Sequence, residues 1–93
     1  MIRSLADDEA EKLWNLQRSR KLPQDIQQRA LTKLAMIHHA TNLNDLKVPP
    51  ANRLELLTGN RSGQYSVRIN RQWRICFQWE GGDACDVEIV DYH

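Results

Sequence analysis

Apolar residues recur along the chain with two different periods, and the change of period divides it into a helical half and a strand half. Ile26, Ala30, Leu34 and Ile37, with Leu31 beside them, follow the 3.6-residue spacing of an amphipathic helix that runs to about Ala40. Pro23 stands where a proline is tolerated at a helix start. A shorter helix precedes it. Asp7 or Asp8 suits its N-cap, and Asp8, Glu9 and Glu11 place negative charge at the positive end of its dipole. Ala10, Leu13, Trp14 and Leu16 supply its apolar face, the basic run Arg18 to Lys21 ends it, and Met1 to Leu5 reads as a short first strand.

Thr41 to Asn52, with Pro49-Pro50 near its end, connects this half to the next, where the period falls to two. Arg53 to Leu57 reads as a strand and Thr58 to Gly63 as a polar loop. Gln64 to Ile69, Trp73 to Trp79 and Ala84 to Tyr92 then form an antiparallel meander joined by short turns. Tyr65, Val67 and Ile69 share one face of their strand, with Ser66 and Arg68 on the other. Trp73, Ile75, Phe77 and Trp79 likewise oppose Arg74, Cys76 and Gln78.

Both apolar sets must face the helices. This pairs Ile69 with Trp73, Val67 with Ile75 and Tyr65 with Phe77 across a three-residue loop, Asn70-Arg71-Gln72. Arg68 then falls directly opposite Arg74. Across the turn at Gly81-Gly82 the same logic sets Phe77 against Val87 and Ile75 against Ile89. The expectation is one α+β domain over residues 1–93: a short N-terminal strand, two helices, then an antiparallel sheet packed against the helices.

Composition narrows the function classes. Ninety-three residues hold one modest core and leave no room for a separate cofactor domain. With 41% hydrophobic and 27% charged residues, the chain is neither disordered nor fibrous. Met1 to Lys12 has no apolar core of a signal peptide, and Leu34-Ala35-Met36-Ile37 is too short to cross a bilayer, so no membrane partner is expected and the expected location is the cytoplasm. Cys76 and Cys85 have neither CxxC spacing nor a neighbouring histidine, and read as reduced packing residues. His38 and His39 are adjacent and point about 100° apart on a helix, so they lack the i, i+4 geometry of a metal pair; a favourable contact with the helix dipole explains them. No metal site or cofactor is expected.

The net charge of +1 conceals a strong asymmetry. Residues 53–74 carry Arg53, Arg61, Arg68, Arg71 and Arg74 against Glu55, a net +4, and none of the chain's four lysines. From Ile75 onward Glu80, Asp83, Asp86, Glu88 and Asp91 meet no Lys or Arg, a net −5. Arginine's planar fork matches phosphate. Like charges directly opposite on a sheet are destabilising by about 0.2–1 kcal/mol, so the Arg68–Arg74 pair calls for a reason. Either both groups reach water or pair with Asp86 and Glu88, or they build an anion site on rigid strands with Tyr92 and His93 at its edge.

The runs Gly63-Gln64-Tyr65-Ser66-Val67-Arg68-Ile69-Asn70, Gln72-Trp73-Arg74-Ile75-Cys76-Phe77 and the terminal Val87-Glu88-Ile89-Val90-Asp91-Tyr92-His93 resemble HigB toxins of the RelE superfamily. Arg53-Leu54-Glu55, Gly59-Asn60-Arg61 and the opening Met1-Ile2-Arg3-Ser4 share the likeness, which spans essentially the whole chain. The resemblance implies a RelE-like fold and a ribosome-dependent messenger-RNA endoribonuclease, with an antitoxin of the HigA helix-turn-helix type, the ribosome and mRNA as partners. DNA would be met only through the antitoxin. Carried over by position, Arg74 matches the active-site arginine, Asp91, Tyr92 and His93 match the terminal catalytic group, and Arg68 matches a basic strand position. Some relatives have a histidine where this chain has Glu55, which leaves Glu55 as a candidate acid or base. Arg53, Arg61 and Arg71 are candidate RNA contacts.

Cleavage of this kind, without a metal, deprotonates the substrate's 2′-hydroxyl as it attacks phosphorus and protonates the leaving 5′-oxygen. His93 or Asp91 can act as base and the other, or Tyr92, as acid, while Arg74 and Arg68 stabilise the charge that builds on the phosphate. Of the aromatics, Trp73 and Trp79 fall on the core face, leaving Tyr92 and Tyr65 to meet a base. The rival from another class is a ParE-like toxin that inhibits DNA gyrase by binding, for which proton-transfer residues are dispensable.

Overall fold

A computed structural model describes residues 1–92. Its elements are α1 (Asp8–Trp14), α2 (Gln24–His39), β1 (Glu55–Leu56), β2 (Tyr65–Arg68), β3 (Trp73–Glu80) and β4 (Asp83–Asp91), with short 3-10 turns at Leu43–Lys47, Pro50–Asn52 and Gly59–Arg61. The four strands form one antiparallel sheet in the order β1-β2-β3-β4. Both helices cover one face, and the core between them joins Leu13, Ile26, Ala30, Leu34 and Ile37 to Val67, Ile75, Phe77, Ala84 and Val87. No helix among the described residues is long and apolar enough to cross a membrane.

The pairing expected from alternation is present along β2 and β3 and at Ile75 with Ile89. Tyr65 faces Phe77, Val67 faces Ile75, Arg68 faces Arg74, and Ile75 faces Ile89. The turn between β2 and β3 is held by Asn70, whose side-chain oxygen accepts from the backbone N–H of Gln72 and of Trp73, each at 2.8 Å. Asp7 is the cap of α1. One carboxylate oxygen accepts from Ala10 N–H at 2.7 Å and the other from Ile89 N–H at 2.8 Å, so the cap also ties the helix to β4.

Four expectations are corrected. Phe77 and Val87 are not a ladder pair, because the register shifts between Cys76 and Gln78 and gives β4 an extra residue there. Asp86, at φ +52°, takes the left-handed conformation within this bulge. The N-terminal segment is not a strand. It makes two separate parallel bridges to β4, Ile2 with Ala84 and Leu5 with Val87. The bulge lies between them, and there the Ser4 hydroxyl accepts from Asp86 N–H at 2.8 Å. Leu16, at φ +62° and 80% exposed, has left α1 and takes no part in its apolar face. Finally, the strand expected over Arg53 to Leu57 is only Glu55–Leu56, because Arg53 sits in the left-handed region at φ +44°.

Candidate active site

Arg74 lies on the sheet face turned away from the helices, yet it is only 8% exposed. A guanidinium this buried needs oriented partners. Its Nε donates to the Ser66 hydroxyl at 2.7 Å. Its Nη2 donates to the Arg53 carbonyl at 2.6 Å and to the Ser66 carbonyl at 3.5 Å. The left-handed backbone of Arg53, which costs a residue with a side chain about 1–2 kcal/mol, accompanies the turn of its carbonyl onto Arg74. Glu55 Oε1 stands 3.9 Å from the same Nη2, and the Tyr92 ring lies 5.8 Å from the guanidinium carbon, within cation–π range.

These groups border a pocket of about 320 Å³ lined by Arg53, Glu55, Arg68, Asn70, Arg71, Arg74 and Tyr92. Most of the residues singled out in the sequence therefore meet in one place. Arg68 reaches it more loosely than Arg74: it is half-buried, and its Nε donates to the Asn70 carbonyl at 3.0 Å. Glu88 and Asp86 do not take up the paired arginines. Glu88 is held by Arg61, and Asp86 lies beside Ser4.

Two described candidates stand apart from the pocket. Arg61 forms an ion pair with Glu88 and donates to Gln64 Oε1 at 3.1 Å. The hydrogen bond that Arg61 donates to Glu88, ahead of the cost of burial, pushes its guanidinium above the ordinary range. Asp91 pairs with Trp73, so strand alternation sends its side chain toward the helix face, opposite to Arg74 and Tyr92. There it accepts from Gln72 Nε2 at 3.2 Å, while the next residue, Tyr92, donates its backbone N–H to the Gln72 carbonyl. His93 lies outside the described residues.

Sequence reasoning missed two supporting groups. Ser66 is fully buried between the strands and fixes Arg74, and alternation alone places it on the arginine face. Arg53 contributes its carbonyl as well as its side chain, and no sequence signal marks that. Cys76, beside Arg74 on the same face, is buried, and burial pushes its thiol above the ordinary range, which keeps it protonated and a poor nucleophile. Among the described residues, no three His, Cys, Asp or Glu side chains converge to hold a metal ion.

The pocket thus offers a rigid buried cation, a second, freer cation across the ladder, a carboxylate and a phenol. Such a set can hold a phosphate and exchange protons around it.

Comparison with known proteins bears on the family and the fold. The chain is 41% identical over 72 residues to Toxin HigB-1 of Vibrio cholerae serotype O1, covering 77% of this chain and 76% of that one. It is 36% identical over 61 residues to Endoribonuclease HigB of Proteus vulgaris, covering 66% and 65% respectively. Its fold is similar to a chain in the crystal structure of the heterotetrameric YoeB–YefM toxin–antitoxin complex of Staphylococcus aureus, with a TM-score of 0.61 at 20% identity over all of this chain and 98% of that one. The family model for the RelE-like toxin of the type II toxin–antitoxin system HigB matches residues 3–93, and the chain belongs to that family.

Proposed function

We propose that the protein is an endoribonuclease that cleaves messenger RNA on the ribosome by attack of the substrate's own 2′-hydroxyl. The observation that carries this reading is the fixed, buried guanidinium of Arg74 flanked by Glu55 and Tyr92. The relative named an endoribonuclease supports it. Arg74 holds the scissile phosphate and stabilises the charge that develops on it. Its donors are already oriented, so little reorganisation is needed as the transition state forms. Arg68, from the opposite strand, supplies the second cation.

Glu55 is the described carboxylate nearest the phosphate site, and we assign it proton transfer at the 2′-hydroxyl or the 5′-oxygen, shared with His93. Tyr92 packs against a base or donates to the phosphate. Asp91 acts as a positioning residue, its bond with Gln72 steadying the strand end that carries Tyr92. Arg53 and Arg71 line the same pocket and extend the RNA contact. Arg61, already engaged by Glu88, secures the strand face. An antitoxin of the HigA type neutralises the toxin, and the protein meets DNA only through it.

The test is to map new RNA ends by primer extension on translating ribosomes and on free mRNA, for the wild type, Arg74→Ala and a chain lacking His93. Ends that need ribosomes and disappear in both variants are the expected result. Intact RNA in every reaction from folded protein would overturn the reading, and a gyrase supercoiling assay would then decide for the binding inhibitor.

A further inference from the structure

Past Arg68 the site pocket adjoins a larger open one of about 890 Å³. Arg68, Asn70 and Arg71 line both. What the larger pocket adds is a wall from α2, where Arg29 reaches the base of the β2–β3 turn and donates from Nη1 to the Ile69 carbonyl at 3.3 Å. That bond uses one of five N–H donors of the guanidinium and fixes its direction.

The two pockets differ in chemistry. The smaller one includes Glu55 and Tyr92, groups that can move protons. The larger one is lined by Arg29, Arg68 and Arg71 with the amides of Asn70 and Gln72, the latter bonded to Asp91 at 3.2 Å, and no described Asp or Glu is among its lining residues. It concentrates positive charge, and its described lining holds no carboxylate or phenol. The α2 face behind it also bears an unfavourable arrangement: Lys33 lies one helical turn from Arg29, and like charges at that spacing destabilise a helix. Lys33 is half-buried with its Nζ on Asn52 Oδ1 at 2.5 Å, and burial first, then Arg29, pushes its ammonium below the ordinary range.

We propose that Arg29, with Arg68 and Arg71, forms a second phosphate subsite that binds the single-stranded RNA backbone next to the cleaved linkage. This rests on the nuclease reading and deepens it. The substrate strand crosses the β2–β3 turn, with the scissile phosphate on Arg74 and a neighbouring phosphate between α2 and the turn. Arg68, common to both pockets, is the divide.

The test separates binding from cleavage. A fluorescent hexanucleotide with every 2′-hydroxyl methylated cannot be cut by 2′-attack, and its affinity for the full chain is read by anisotropy across a salt series. Neutralising one cation that binds a phosphate should flatten the slope of log affinity against log salt by about 0.7. Arg29→Gln should therefore flatten it by about that amount and weaken binding roughly 3- to 10-fold at moderate salt, with Arg29→Lys recovering part of the affinity. Arg71→Gln, at the exposed tip of the turn, should flatten the slope similarly and serves if Arg29→Gln does not fold.

Unchanged affinity and slope in folded Arg29→Gln, or in Arg71→Gln where Arg29→Gln does not fold, would overturn the subsite, as would a wild-type chain that does not bind the hexanucleotide. Equal, Arg29-dependent binding of an oligoglutamate of matched charge would overturn its assignment to RNA. Cleavage of mRNA on ribosomes, measured in parallel on the wild type, keeps the two proposals distinct. Cleavage without Arg29-dependent binding sinks the subsite alone; Arg29-dependent binding without cleavage supports the subsite and sinks the nuclease.

Discussion

The two faces of β3 are both closed to solvent at their centre, by opposite means. On the helix side Ile75 and Phe77 are fully buried among apolar neighbours, and the Phe77 ring lies 6.3 Å from Tyr65 and 6.4 Å from Trp79, centroid to centroid. On the other side Arg74 and Cys76 are buried with Ser66 across the ladder, and polar bonds to Ser66 and Arg53 close the surface. Apolar burial is non-directional, so it attaches the sheet to the helices without aiming any one atom. A buried cation is tolerated only with partners in fixed directions, and those partners fix its donors in space. One face of the strand thus supplies stability, and the other supplies a preorganised charge.

The largest effect is expected where the apolar face is broken. Phe77→Ala should lower unfolding free energy by about 3–5 kcal/mol, measured by urea denaturation. A loss under about 1 kcal/mol, far below that range, would mean that the helices do not depend on this face.

On the polar face, Arg74→Ala should reduce cleavage on ribosomes by about 10²–10³-fold, the magnitude seen when one oriented donor to a developing anion is removed. Arg74→Lys is the sharper test. It keeps the charge but cannot reproduce the planar fork that meets Ser66 and Arg53 together. Activity near wild type in Arg74→Lys would show that charge alone suffices and that the fixed geometry is incidental.

The helix-side face was the more legible of the two in the sequence, because alternation with period two is a direct record of burial. It sets Val67 against Ile75 and therefore Arg68 against Arg74, as the ladder has them. It is silent where the backbone breaks the period. Nothing in the residue types announces the left-handed Asp86, so the register beyond Ile75–Ile89 and the interruption of the N-terminal segment stay hidden. Arg53 is likewise an arginine among arginines until its carbonyl is seen on Arg74. The position of Asp91 is different: the pairing of Ile75 with Ile89 already sets Trp73 against Asp91 and so separates it from Arg74. The resemblance groups Asp91 with Tyr92 by neighbourhood in sequence, whereas a strand puts neighbours on opposite faces.

Ser66→Ala tests whether the polar face works as a network. It leaves Arg74 Nε without its 2.7 Å acceptor in a buried position, at a cost of about 1–3 kcal/mol. Cleavage should fall by less than in Arg74→Ala, because the Arg53 carbonyl still holds Nη2. Stability and cleavage unchanged together would remove Ser66 from the account of how Arg74 is aimed.

The smallest effect should arise away from both faces, at the β3–β4 turn, where Asp83 takes the N-terminal ammonium at 3.4 Å and Arg3 Nη2 at 2.5 Å. The hydrogen bond to the ammonium, then the one to Arg3, outweigh desolvation and hold its carboxyl below the ordinary aspartate value. A carboxylate depressed in the folded state binds protons more weakly there than in the unfolded chain. Its stabilisation is therefore complete above the unfolded value, near about pH 4, and is lost as pH falls through the lower folded value. Asp45, depressed by the backbone N–H groups of Thr41 and Asn42, should follow the same course. Urea midpoints measured from about pH 7 to about pH 2 should fall below about pH 4, and Asp83→Asn should flatten part of that fall while leaving cleavage at neutral pH intact. An acid limb as steep in Asp83→Asn as in the wild type would mean that the bridge from the N-terminus to the turn contributes nothing, and that the sheet holds its edge by the Ile2 and Leu5 bridges alone.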